Sequence, residues 1–115
     1  MTNYRDLIGL PYRVGARGPS EYDCAGVVLE WMRRAGFDGV TFEPGRWERL
    51  GSSIADARKL GDVAHTITPT GEHGVAVLID TAPHLWLTAL SGQGVVAVRS
   101  RVISAQLDAV YRWPE

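Results

Sequence analysis

A chain of 115 residues with 45% hydrophobic and 22% charged residues has the length and composition of one globular domain with a core of its own. Its formal net charge of −1 supplies no long-range attraction to nucleic acid or to anionic lipid, and no apolar run approaches the length that spans a bilayer. A single cysteine excludes an internal disulfide and leaves one free thiol.

In chain order, residues 3–10 suit a short first helix that stops at Gly9, before Pro11. Because the first residues, Met1-Thr2-Asn3-Tyr4-Arg5-Asp6, lack the basic-then-apolar layout of a signal peptide, a soluble protein is expected. Pro11 to Pro19 is a glycine- and proline-rich loop carrying Tyr12, Arg13 and Arg17, of a kind that lines clefts when packed beside a helix start. A helix follows, with Val27, Val28, Trp31, Met32 and Ala35 at helical spacing. Ser20 with Asp23 resembles a capping box, and Gly36 stands where a left-handed C-cap belongs.

Cys24 falls in the first turn of that helix. Unpaired backbone N–H groups and the positive end of the helix dipole favour a thiolate there, which makes Cys24 a candidate nucleophile. It also shares a face with Val28, Trp31 and Ala35, the pattern of a small buried core residue, and the rate of thiol alkylation separates the two.

Between Phe37 and Gly61, with Phe42, Pro44 and Trp47 as punctuation, one short helix is expected near residues 52–60, stopped at Gly61. Strand-like sequence begins after Gly61-Asp62. His73, Val75, Val77 and Ile79 then alternate with Gly74, Ala76, Leu78 and Asp80. A turn at residues 80–83, a strand from His84 to Leu90, a Gly92/Gly94 turn, a strand over Val95 to Val98 and a last segment ending at Trp113 complete the pattern. Helices followed by hairpin-connected strands describe an α+β domain with an antiparallel sheet.

A thiol nucleophile needs a base within hydrogen-bond reach, and a fold can bring that base from far along the chain. His73, first in its strand, is the candidate. His65 and His84 read as ordinary strand or surface residues, and no paired ligand spacing supports a zinc site or any other metal or cofactor.

Taken together, Gly9-Leu10-Pro11-Tyr12, Asp23-Cys24-Ala25-Gly26, Gly61-Asp62, His73-Gly74-Val75-Ala76 and Tyr111-Arg112-Trp113-Pro114 resemble the NlpC-type cell-wall cysteine peptidases, the last of them the small phage-encoded branch. The resemblance spans nearly the whole chain. It implies a papain-like core in which Cys24 is the nucleophile and His73 the general base, with Tyr12 and Asp23 bordering the substrate. Arg13 or Arg17 is placed to pair with a substrate carboxylate.

The implied substrate is the peptidoglycan stem peptide, cut at an amide bond, in the periplasm or at the cell wall. Phage tail-tip proteins are the implied partners, with the chain carried on the virion. Two positions depart from the family pattern: Ala25 replaces a serine, and the third polar residue, which orients the base, is not a histidine, asparagine or glutamine. A hairpin turning at residues 81–82 puts His84 about six residues, or roughly 20 Å, along the strand from His73, which leaves Thr88 as the expected orienting group. A non-catalytic tail component or stem-peptide binder of the same fold is the alternative function.

Overall fold

The computed structural model describes residues 2–37, 52–54 and 59–113. After a 3-10 turn at Arg5–Leu7 come α1 (Cys24–Arg34), β1 (Ser52–Ile54), β2 (Val63–Ile67), β3 (His73–Thr81), β4 (His84–Leu90), β5 (Gly94–Arg99), α2 (Ser100–Ser104) and β6 (Leu107–Arg112). The expected first helix is therefore a single tight turn. The segment Ser52–Ile54, expected in a helix, is a strand paired with β6, while residues 55–58 of that expectation, with Phe42, Pro44 and Trp47, lie outside the described residues. The strands form one antiparallel sheet of order β1-β6-β2-β3-β4-β5, so the fold is α+β.

Helix α1 starts because Asp23, in extended conformation, caps it: its carboxylate accepts the Gly26 N–H at 2.6 Å. Ser20 takes no part in the cap. The helix ends in a Schellman motif, with Gly36 at φ 88°, the Phe37 N–H on the Met32 carbonyl and the Gly36 N–H on that of Arg33. One stripe of α1, Val27, Val28, Trp31 and Met32, is buried against Val75 and Val77 of β3 and Leu87 and Ala89 of β4. The opposite face of the sheet carries a smaller cluster of Ala64, Ala76, Leu78, Trp86 and Val110, covered in part by Ile103 of α2, an element without an obvious signal in the sequence. Helix α1 is tied to the N-terminal turn by Arg34, which grips both carboxylate oxygens of Asp6 and reaches Glu30 on its own helix.

Just before β2, an interior strand of the sheet, Asp62 is 1% exposed. Arg112 of β6 donates to its two carboxylate oxygens at 2.8 Å each, and the Lys59 N–H supplies a further bond. The Gly61-Asp62 pair thus begins β2 by fastening it to the last strand. Among the described residues no helix is long and apolar enough to cross a membrane.

Candidate functional site

Cys24 is the first residue of α1 and half-buried. Its thiol faces the backbone of Val75, and His73 lies two residues earlier on the same face of β3, about 7 Å along the strand. The two side chains, with Tyr12, line one cavity of about 320 Å³. Its walls include Glu72, Gly74 and Ser91, and beyond the small Gly74 it continues to Thr66, Val98, Val102 and Gln106 beside α2.

Burial pushes the Cys24 thiol above its ordinary pKa, and the negative charge of Asp23 adds to the effect. The backbone N–H groups of Val75, Ala25 and Cys24 itself oppose it without reversing it. The helix start therefore surrounds the sulfur with donors suited to an anion, while the resting thiol keeps its proton. Desolvation thus outweighs the helix terminus in its effect on the Cys24 thiol. Tyr12, brought beside the helix start by its bridge to Tyr22, has its hydroxyl pKa raised by burial and then by the charges of Cys24 and Asp23.

Asp23 is turned away from a substrate-binding part. Besides Gly26, its carboxylate accepts the Gly15 N–H at 3.1 Å and a guanidinium N–H of Arg17 at 2.6 Å, so it pins the 13–18 loop onto the helix start. Arg13 likewise lies outside the cavity; it borders a separate groove formed by its own loop and faces Glu21 at 3.5 Å on the surface. The close seating of this loop explains the glycine of Asp-Cys-x-Gly. A Cβ on Gly26 would land on the Ala16 carbonyl oxygen, a backbone atom that also accepts the Asp23 N–H.

Alanine in a helix ordinarily gains about 1 kcal/mol over glycine. For Gly26→Ala the sign should reverse, with a loss of about 1–3 kcal/mol from overpacking. Thermal denaturation beside wild type measures it.

Thr88 does not orient His73. Thr81 pairs with His84 and Asp80 with Leu85, but a bulge at Ile79 then shifts the register to Leu78 with Trp86 and Val77 with Leu87. Continuing that register, Thr88 lies opposite Ala76, where the register at the hairpin end would have set it opposite Val77, and a shift of one residue sends a side chain to the other face of a sheet. Its hydroxyl donates to the Val75 carbonyl at 2.7 Å, although the residue also lines the cavity. His84 lies at the far end of β3, eight residues from His73.

The group beside the His73 ring is His65, a position whose sequence context alone suggests an ordinary strand residue. In the β2–β3 register Ile67 faces His73 and His65 faces Val75, so the two histidines are diagonal neighbours on one face. Their rings are nearly parallel, tilted by 8° with centroids 5.0 Å apart, and His65 Nε2 lies 2.8 Å from His73 Nδ1. His65 is 3% exposed. Its Nδ1 stands 3.1 Å from Oδ2 of Asp108, within ion-pair distance but at an angle too bent for a straight hydrogen bond. Asp108 is the extra residue of a bulge in the β2–β6 pairing, between Leu107 opposite Thr66 and Ala109 opposite His65. The signal for His65 was present in the Thr68-Pro69-Thr70-Gly71 turn, which folds residues 65 and 73 towards each other; Asp108 had none, since it depends on a bulge between strands distant in sequence. Among the described residues no cluster of side chains is arranged to hold a metal.

The sequence matches no family model and no curated relative. Solved structures do match. NlpC1 and NlpC2 from Trichomonas vaginalis superpose with TM-scores of 0.72 and 0.73 at 19% identity, over 95% and 96% of this chain. The NlpC/p60 domain of the peptidoglycan hydrolase SagA superposes with a TM-score of 0.72 at 20% identity over 94%. The chain spans 41% and 44% of the two Trichomonas chains and 91% of the SagA domain. At such identities the likeness is one of architecture: the chain has the α+β fold of NlpC/P60 domains.

Proposed function

We propose that the protein is a cysteine peptidase or amidase that hydrolyses an amide bond in the peptidoglycan stem peptide. The observation that carries this reading is the convergence of Cys24, at the start of α1, and His73, at the start of β3, on one cavity in a fold shared with a peptidoglycan hydrolase domain. His73 takes the Cys24 proton as the sulfur attacks the amide carbonyl, and a C–S bond forms. The tetrahedral oxyanion is held by backbone N–H groups at the helix start, with Tyr12 beside it. His73 then returns the proton to the departing amine as the C–N bond breaks. Water, deprotonated by the same ring, releases the acyl group and restores the thiol. A phage origin and a tail-tip setting belong to the same proposal and are supported by the likeness of the Tyr111-Arg112-Trp113-Pro114 tail to the phage-encoded branch.

The test is to incubate the protein and its Cys24→Ala variant with peptidoglycan from several bacteria and to identify released fragments by mass spectrometry. Fragments cut within the stem peptide, from wild type alone, are the expected result, and their masses name the bond. If neither protein releases fragments while both sediment with the wall, the hydrolase reading is abandoned for a binding module of the same fold.

A further inference from the structure

We propose that Asp108 and His65 form a positioning relay that sets which nitrogen of His73 carries its proton, a proposal that rests on the hydrolase reading for its purpose but not for its geometry. Two neutral imidazoles joined nitrogen to nitrogen share one proton between the joined atoms, so fixing the tautomer of one ring fixes that of the other. The carboxylate decides it. With Oδ2 of Asp108 3.1 Å from His65 Nδ1, a bare lone pair on that nitrogen would face the oxygen's own lone pairs with nothing between them, whereas an N–H there is attracted even along a bent path.

His65 Nδ1 therefore holds the proton and His65 Nε2 is the acceptor. At 2.8 Å the bond to His65 Nε2 is then donated by His73 Nδ1. His73 Nε2 is left without a proton, and the ring that carries it lines the cavity shared with Cys24, so this nitrogen is the one able to take a proton there. The opposite tautomer pair would protonate His73 Nε2 and leave no base for the thiol. The relay needs both rings neutral, and the burial that lowers the pKa of His65 outweighs the opposing pull of Asp108 and keeps this ring uncharged near neutral pH. The relay thus comes from β2 and β6, on the side of His73 away from β4, where the orienting residue was expected.

The experiment is to label the full-length protein with 15N-histidine and to read the tautomers of His65, His73 and His84 by long-range 1H–15N correlation at mildly alkaline pH, assigning them with single histidine replacements. Wild type is expected to show His73 protonated on Nδ1. Asp108→Asn, whose amide can donate to His65 Nδ1, should move the His73 proton towards Nε2, and Asp108→Glu should restore the wild-type pattern. Turnover on peptidoglycan should fall about 10–100-fold in Asp108→Asn, by analogy with the loss of a carboxylate that orients a metal-ligating histidine. A His73 ring protonated on Nε2 in wild type, or tautomers unchanged in Asp108→Asn, would overturn the relay. The predicted tautomers in a protein that cuts no peptidoglycan would instead overturn the hydrolase reading alone.

Discussion

Replacing His73 by alanine is expected to lower peptidoglycan turnover by about 10³-fold, within the span that general acid–base groups contribute. The size of the effect follows from the state of the nucleophile. A preformed thiolate would retain part of its reactivity without a base, but burial holds Cys24 as a thiol, so attack requires a group that removes the proton as the C–S bond forms. Alkylation by iodoacetamide makes the same point without a substrate. In His73→Ala the rate should rise with pH along a curve whose midpoint lies above about 8.5, the ordinary cysteine value, whereas wild type should react faster at neutral pH. If the two proteins are alkylated alike, His73 does not serve the thiol.

Stability carries a further signature with a definite sign. The folded thiol releases its proton at higher pH than the unfolded one, so the native state binds more protons above about 8.5 and stability declines as pH rises through that region. Below it, this contribution is fully present. Cys24→Ala should flatten the decline.

The second large effect is on stability and lies away from the cavity. Arg112→Met keeps much of the aliphatic stem while leaving the Asp62 carboxylate buried without its bidentate partner. Removing one member of a buried pair costs about 3–5 kcal/mol. Because Arg112 is itself partly exposed, the lower end, about 3 kcal/mol, is expected, which corresponds to a melting temperature lower by roughly 10 °C. Combining Arg112→Met with Asp62→Asn, which removes the stranded charge, should recover part of the loss. Equal melting temperatures for wild type and Arg112→Met would show that the pair does not fasten β2 to β6.

The parts of this architecture that could be read in advance are those governed by local rules. The helix from Cys24 was legible because its apolar spacing and Gly36 agree with each other, and β3 to β5 because alternation and turn residues coincide. What failed depended on geometry between strands. A single bulge at Ile79 moved Thr88 to the other side of the sheet, and no local pattern announces where a strand takes an extra residue. The segment Ser52–Ile54 became a strand because β6 lies alongside it, a tertiary partner that outweighs helical preference in so short a stretch. The position of Asp23 before Cys24 is legible in the sequence, but the occupation of its carboxylate by two backbone N–H groups and Arg17 depends on how the 13–18 loop folds back on the helix start.

The half-buried, protonated state of Cys24 also bears on how long such a site lasts. Peroxide and disulfides react with thiolates, and the first rung of cysteine oxidation is a sulfenic acid formed from the anion. On the proposed function, a sulfur that becomes anionic only when His73 draws off its proton would spend little time in the vulnerable form, and a chain with one cysteine has no second thiol with which to close an internal bridge. The burial that would make such a nucleophile wait for its base would therefore also preserve it in surroundings oxidising enough to consume an exposed, low-pKa cysteine.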